Sequence, residues 1–273
     1  MFRNPKMAAA IYASRQEEIP VLETSCSMEI GEYPASTLGT GYIFTNADSV
    51  RMYKNDKFIK EYRNENRNPI PMDDLVGDLL ITEEGFPKEQ ADAVKFILNS
   101  VAKFGVNHIP VSAMVKIPKL LVRYKMTIGQ VTDLYTKYIG NWGENAVEYR
   151  FDAIKNGQVV KSIVKAPMKK MILEAEADHT ELIESHTYDV ALVQIRMVSE
   201  HGNLLSFANE PVFLETRGPI EIIGPKCIAL QGGMFGTFVK STGLGQARLQ
   251  IKDTRGSEKN IHFHIKKLED NHG

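Results

Sequence analysis

Paired carboxyl groups can divide general acid and base work between them. Three stretches of the sequence put carboxylates in suggestive company. Asn209-Glu210-Pro211 sets a glutamate after an asparagine, the dipeptide that carries the acid/base of some glycosidases. Its neighbours point elsewhere: it lies between the strand-like runs SFA and VFLET, where Asn and Pro form turns. Asp73-Asp74 and Glu83-Glu84 are adjacent pairs read near helix starts, where carboxylates favour the macrodipole. His262 and His264 alternate along a strand and so share a face, as two metal ligands would. No third ligand accompanies them, so a solvated strand face is the simpler reading, and neither a metal nor a cofactor is expected. The glycines of LQGGMFG and STGLGQ form neither a dinucleotide fingerprint nor a P-loop, and read as turns and bulges. No nucleophile elbow and no Cys/His arrangement is present. Cys26 and Cys227 stand 201 positions apart, neither in a CxxC, and read as two unpaired buried thiols.

The single tryptophan stands in Tyr138-Ile139-Gly140-Asn141-Trp142-Gly143. An aromatic between Gly and Asn, where a helix gives way to a strand, can stack on a sugar ring. It can equally anchor a helical block to a sheet. Residue types and spacing leave both readings open and supply no complete active site.

The elements that must position these residues follow from periodicity. Asn4 and Pro5 suit an N-cap and first helical position, and Met7, Ile11 and Tyr12 form a stripe on the helix behind them. From Pro20 the period becomes two. GYIFTNADSVRMYKNDKFIKEY and NAVEYRFDAIKNGQVVKSIVK are rich in Val, Ile, Tyr and Phe and predict strands. Asn55-Asp56 and Asn156-Gly157 supply hairpin turns, because Asn and Gly tolerate positive φ. Between these groups, over about residues 67–138, the apolar period is helical. MDDLVGDLL predicts a short helix. Ala91, Val94, Ile97, Leu98, Val101 and Phe104 form the stripe of a longer one, with Pro87 at its start and Gly105 at its C-cap. Thr127 and Gln130 make a capping box ahead of VTDLYTKY. Beyond Ala166-Pro167, the expected linker, the runs MILEAEA, YDVALVQIRMVSE, NLLSFANEPVFLETRG, PIEIIG, IALQGGMFGTFVKST, GQARLQIKDT and NIHFHIKK are all strand-like. Gly-containing turns punctuate them, as in an immunoglobulin-like sandwich.

Composition bounds the function. The 273 residues suit two domains at roughly 100–200 residues each. With 43% hydrophobic and 25% charged residues the chain can bury a core. Lys plus Arg total 33 and Asp plus Glu 34, a net charge of −1, which argues against a nucleic-acid footprint and against a helical block used on DNA. No apolar run approaches a membrane span, and the first residues lack a signal-peptide core, so no membrane association and a cytoplasmic location are expected.

The wording of the sequence adds a resemblance. MFRNPKMAAAIYAS looks like the last helix of the catalytic (β/α)8 barrel of family 2 glycoside hydrolases of the bacterial β-galactosidase type. VLETSCSMEIGEY and YIFTNADSVRMYKNDKFIKEY are similar to that family's next module, an immunoglobulin-like domain, with Lys54-Asn55-Asp56-Lys57 replacing the commoner Asn-Gly turn. PMDDLVGDLL and LYTKYIGNWGENAVEYRFDAIKNGQ resemble a helical insertion of one bacterial branch. The run from DHTELIESHTYDV to VKSTG looks like the terminal immunoglobulin-like module.

The resemblance implies a mainly β fold of two immunoglobulin-like β-sandwich domains. Residues 1–18 would be the helix of the missing barrel, 19–166 the first sandwich with its helical insertion, and 167–273 the second. It implies the non-catalytic C-terminal portion of a retaining β-glycosidase, inactive alone, because the two catalytic glutamates, about 5 Å apart in such enzymes, match no position here. The implied partners are the catalytic barrel, an oligosaccharide and further copies of the chain. Asn141 and Trp142 become candidates for the substrate edge. The alternative is a free-standing immunoglobulin-like module that binds carbohydrate or protein. The apolar first helix discriminates between the two, since a stand-alone module has no use for it.

Overall fold

The computed structural model describes residues 7–28, 37–65, 69–140 and 147–268. The chain divides into two compact units, one running to Pro167 and the other starting at Met168. Their apolar cores have no residue in common.

The first unit opens with helix α1 (Met7–Ala13), followed by β1 (Leu22–Thr24), β2 (Gly41–Thr45), β3 (Ser49–Lys54), β4 (Lys57–Arg63) and β5 (Ile70–Met72). After a helical block come β6 (Tyr149–Lys155) and β7 (Gln158–Lys165). The strands form two sheets, in the orders β1-β2-β5 and β4-β3-β6-β7, every neighbouring pair antiparallel. Alternation decides which residues face the core: Val50 and Met52 of β3 and Tyr149, Phe151 and Ala153 of β6 are all buried. Both hairpins turn through left-handed backbone. Asn55 and Asp56 have φ of 47° and 62°, and Asn156 and Gly157 have 52° and 75°, the pattern of a type I′ turn.

The helical block lies between β5 and β6. It comprises α2 (Leu79–Thr82), α3 (Lys88–Phe104), a 3₁₀ turn (Val106–His108), α4 (Val111–Met114), α5 (Lys116–Arg123), α6 (Ile128–Tyr135) and a single π turn (Thr136–Gly140). Helix α3 buries Ala91, Val94, Ile97, Leu98 and Val101, but Phe104 at its last position is 43% exposed. Gly105, at φ 76°, closes the helix with its amide donating to the Val101 carbonyl. Thr127 and Gln130 make the reciprocal capping box.

The helix expected over MDDLVGDLL is reduced to α2. Met72 belongs to β5, and the Asp74 carboxylate accepts from the amides of Val76 and Gly77, both at 3.0 Å. That side chain satisfies the donors a helix would have used. Gly77 sits at φ +60°, outside helical space.

The second unit holds β8 (Met171–Ala177), β9 (Glu181–Glu184), β10 (Val190–Ser199), β11 (Pro211–Arg217), β12 (Ile220–Ile223), β13 (Cys227–Ala229), β14 (Met234–Ser241), β15 (Gly245–Asp253) and β16 (Glu258–Lys267). They form two sheets, ordered β12-β14-β10-β8 and β13-β11-β15-β16-β9. Both sheets feed one core: Leu173, Val193, Ile195 and Val239 from the first, Val212, Leu214, Leu249, Ile251 and Phe263 from the second. This is a β-sandwich. Strands β9 and β16 pair in parallel. The run NLLSFANE is not a strand; Leu204 makes only one bridge, to Val198. The thiols are free but not buried as expected: Cys26 is half-buried, and Cys227 is exposed on the short edge strand β13. Among the described residues no helix is long and apolar enough to cross a membrane.

Candidate functional site

Asn141 and Trp142 lie outside the described residues; the chain on either side of them is described up to Gly140 and from Val147. On both sides it is tied to one hairpin turn, that of β3 and β4. Leaving α6, the backbone widens into the π turn, in which Tyr138, Ile139 and Gly140 are buried. Such turns are rare and recur at functional sites. The Tyr138 carbonyl accepts from Lys54 Nζ at 2.7 Å. On the return side the Glu148 amide donates to Asn55 Oδ1, and the Asn55 amide donates to the Glu148 carbonyl, each at 2.8 Å. Two residues beyond Glu148, Arg150 pairs with Asp56 and stacks 4.4 Å above the Tyr53 ring.

The side chains of the π turn meet the acidic pair. Tyr138 Oη lies 2.7 Å from Glu84 Oε1 and 3.0 Å from Glu83 Oε2. Lys137 Nζ bridges the same carboxylates at 2.7 Å and 3.5 Å, and Lys57 of β4 closes on Glu83. Glu83 and Glu84 therefore do not head a helix. They follow α2 at its C-terminus, where the macrodipole opposes them, and two lysines and a phenol outweigh that repulsion.

The electrostatics show what this cluster does. The hydrogen bond from Lys57 holds the Glu83 carboxyl below the usual carboxylate range, and that from Lys137 does the same for Glu84. Burial, with the two carboxylates beside it, pushes the Tyr138 phenol far up. A general acid for glycoside cleavage needs a raised pKa; both glutamates move the other way, toward the charged form. Lys54 is different. It is 6% exposed, and burial lowers its amine to about 7, with Glu83 pulling it partly back.

The remaining sequence candidates are not drawn together. Asn209-Glu210-Pro211 is not itself the turn: the turn lies at Ser206-Phe207, Asn209 and Glu210 lead out of it, and Pro211 opens β11; Asn209 Nδ2 donates to the Phe207 carbonyl at 3.1 Å, and Glu210 Oε1 accepts from Arg255 Nη1 at 2.7 Å. Arg255 also reaches Asp253 at 3.0 Å. His262 is exposed and His264 half-buried, while Ile261, Phe263 and Ile265 between and beside them fill the core. Among the described residues no group of three or more His, Cys, Asp or Glu side chains could hold a metal.

Reading motifs for chemistry missed Lys54 and Tyr138. The signal for Lys54 was present: in SVRMYK, period two places Lys54 on the face of Val50 and Met52, a lysine in core register. Tyr138 carried no comparable signal, because the π turn shifts its helical phase.

No family model matches the chain. It is 33% identical over 103 residues to a β-galactosidase of Rhizobium radiobacter, an alignment covering 37% of this chain and 74% of that one. It is 24% identical over 246 residues to a β-galactosidase of Thermoanaerobacter pseudethanolicus, covering 89% of this chain. The chain thus spans only 26% of the length of that second relative. Among solved structures, a β-glycosidase from Bacteroides vulgatus matches the fold with a TM-score of 0.57 at 12% identity, over 97% of this chain and 27% of that one.

Proposed function

The chain belongs to the family 2 glycoside hydrolases of β-galactosidase type, and from that membership we propose that it is the non-catalytic C-terminal portion of a retaining β-glycosidase, bracing a (β/α)8 barrel. The observation that carries this reading is helix α1. None of its residues is buried, and Met7, Ile11 and Tyr12 are 44%, 38% and 78% exposed. A seven-residue helix has little stability of its own, and an uncovered apolar stripe marks a docking face. A barrel surface is the cover that membership supplies. The small share of the longer relative that this chain spans supports the same reading.

The segment of Asn141 and Trp142 then edges the substrate cleft, carried by the hairpin turn that ties the chain before and after it. Glu83 and Glu84 serve as its anchor and take no part in bond cleavage.

The test is turnover. The 273-residue chain is expected to leave an aryl β-galactoside intact. The same chain joined to its in-frame upstream barrel is expected to hydrolyse it with retention of configuration. Turnover by the 273-residue chain alone, at a rate that survives repurification, overturns the proposal.

A further inference from the structure

We propose that the outer face of α4 and α5 is a docking surface for an anionic phospholipid bilayer: a row of exposed valines enters the headgroup layer, and the lysines beside it hold the anionic headgroups. The proposal goes beyond the glycosidase reading and does not depend on it.

Helix α4 runs into α5 through Val115, whose backbone is itself right-handed helical at φ −67° and ψ −27°. One side of this run packs inward, where Ala113 and Leu120 are buried in the core of the first unit. The opposite side carries Val111, Val115, Pro118 and Val122, spaced i, i+4, i+7 and i+11 as a single helical stripe. Its valines are 74%, 70% and 80% exposed. A helix that is apolar on both sides is normally covered on both, and a contiguous row of exposed aliphatic side chains marks an interaction face. The charge beside the stripe says what kind of cover fits. Between Asp92 and Asp133 the sequence has six lysines and arginines and no carboxylate. Lys95 is engaged by Asp74 and Asp78, and Arg123 by Glu89. Lys103, Lys116, Lys119 and Lys125 make no ion pair among the described residues. Lys119 flanks the stripe, four positions after Val115 and three before Val122. Summed over the whole chain the charge is −1, which hides this local separation.

The composition of the face selects among anionic covers. A second copy laid stripe on stripe would set like charges against each other, which opposes association. Protein interfaces are enriched in aromatic residues and Arg and depleted in Lys, and Val is scarce among their hot spots. Here the cations left without a carboxylate are all lysines, and the stripe is valine and proline. A bilayer with anionic headgroups needs no directional partner. It attracts lysines as point charges and admits aliphatic side chains at the boundary between headgroups and acyl chains. Such contact lies in the plane of the surface and calls for no membrane-crossing helix, consistent with helices too short or too polar to cross among the described residues.

The experiment sediments the whole chain with sucrose-loaded vesicles, made either of phosphatidylcholine alone or of phosphatidylcholine with about a third phosphatidylserine. The chain is expected to pellet with the phosphatidylserine vesicles, to stay in solution with phosphatidylcholine alone, and to be released by salt, which screens the lysines. Each lysine neutralised is expected to weaken binding about fivefold, so Lys119→Gln with Lys125→Gln is expected to weaken it about 25-fold. Val115→Asp with Val122→Asp is expected to abolish sedimentation. All four positions are exposed, so the urea midpoints of these variants are expected to stay close to wild type. Lys161→Gln with Lys259→Gln removes the same charge from exposed positions on β7 and β16 and is expected to bind as wild type. Failure of the wild-type chain to pellet with phosphatidylserine vesicles at low ionic strength, equal binding to both vesicle types, or undiminished binding by the aspartate variant overturns the proposal. A dimer that the aspartate variant disperses would show the stripe covered by a second copy, and overturns it too. The first two readings need no variant, and none uses turnover, so failure here is distinct from failure of the glycosidase reading.

Discussion

Tyr138 shares with Lys57 and Lys137 the work of holding the acidic pair in its charged form. Tyr138 sits in the middle of the π turn and its phenol meets both Glu83 and Glu84, while Lys137 of the same turn and Lys57 of β4 neutralise them. A hydrogen bond to a charged acceptor contributes about 1.5–3 kcal/mol, and leaving one partner buried and unpaired costs a similar amount. Both carboxylates are partly exposed, so solvent screening trims that figure. Tyr138→Phe is therefore expected to lower unfolding free energy by about 1–2 kcal/mol at neutral pH, measured in urea. The pH dependence carries the sign. Both glutamates titrate below the usual range in the folded chain, so their stabilisation is present above the ordinary carboxylate value and is lost as pH falls through the lowered one. Removing the phenol weakens one cause of that lowering, so the acid limb of the stability curve should be shallower in the variant. Parallel acid limbs would show that the lysines alone set the carboxylates.

The hairpin turn at Asn55-Asp56 and the bend at Gly77 are the elements on which this region depends, and they differ in how far the sequence announced them. Positive φ at two consecutive residues is what Asn-Asp shares with Asn-Gly, so the turn was legible, whereas the bulge that shifts the β3–β4 register at Met52 and Tyr53 was not. The capping box of α6 and the apolar stripe of α3 were legible too, because spacing there follows from helix geometry alone. Around Gly77 the sequence misled. MDDLVGDLL has helical spacing, but Asp74 captures two amides and Gly77 must turn left-handed. What forces that bend is a contact from elsewhere in the chain: a Cβ at Gly77 would stand 2.4 Å from the Ile59 carbonyl oxygen and 2.8 Å from its Cα. Local spacing cannot report a strand backbone arriving from 18 residues away. At the candidate site Trp142 drew notice as the only tryptophan and lies outside the described residues, whereas Lys54 and Tyr138 matter through contacts that only the folded chain makes. Gly77→Ala combines a left-handed backbone with a backbone collision that no rotamer change relieves. It is expected to cost at least ~2 kcal/mol, and a loss under ~0.5 kcal/mol in urea unfolding would mean that the α2 approach shifts to make room.

At the scale of the molecule, membership in the family and the division into two units make separate claims on the part of the chain that starts at Met168. The proposed function would make it an accessory module of a larger enzyme; the division makes it a body with a core of its own. That core runs from Leu173 to Ile265 and draws on both sheets, with Val193, Ile195, Val212, Leu249 and Ile251 fully buried. Its hydrogen-bond ladders close among β8 to β16. Arg255, tied to Glu210 and Asp253, pins the β15–β16 turn to the approach of β11. Gly218 and Gly233 hold tight turns where a Cβ would stand 2.4 Å from the Gln246 carbonyl oxygen and 2.3 Å from that of Leu205. Nothing in this list draws on residues before Met168, and a sandwich of about 100 residues is within the range that folds unaided. Residues 168–273 expressed alone should therefore unfold in urea in one cooperative transition, with dispersed amide resonances before it. A collapsed fragment without a cooperative transition would show that the sandwich borrows its stability from the part of the chain before Met168.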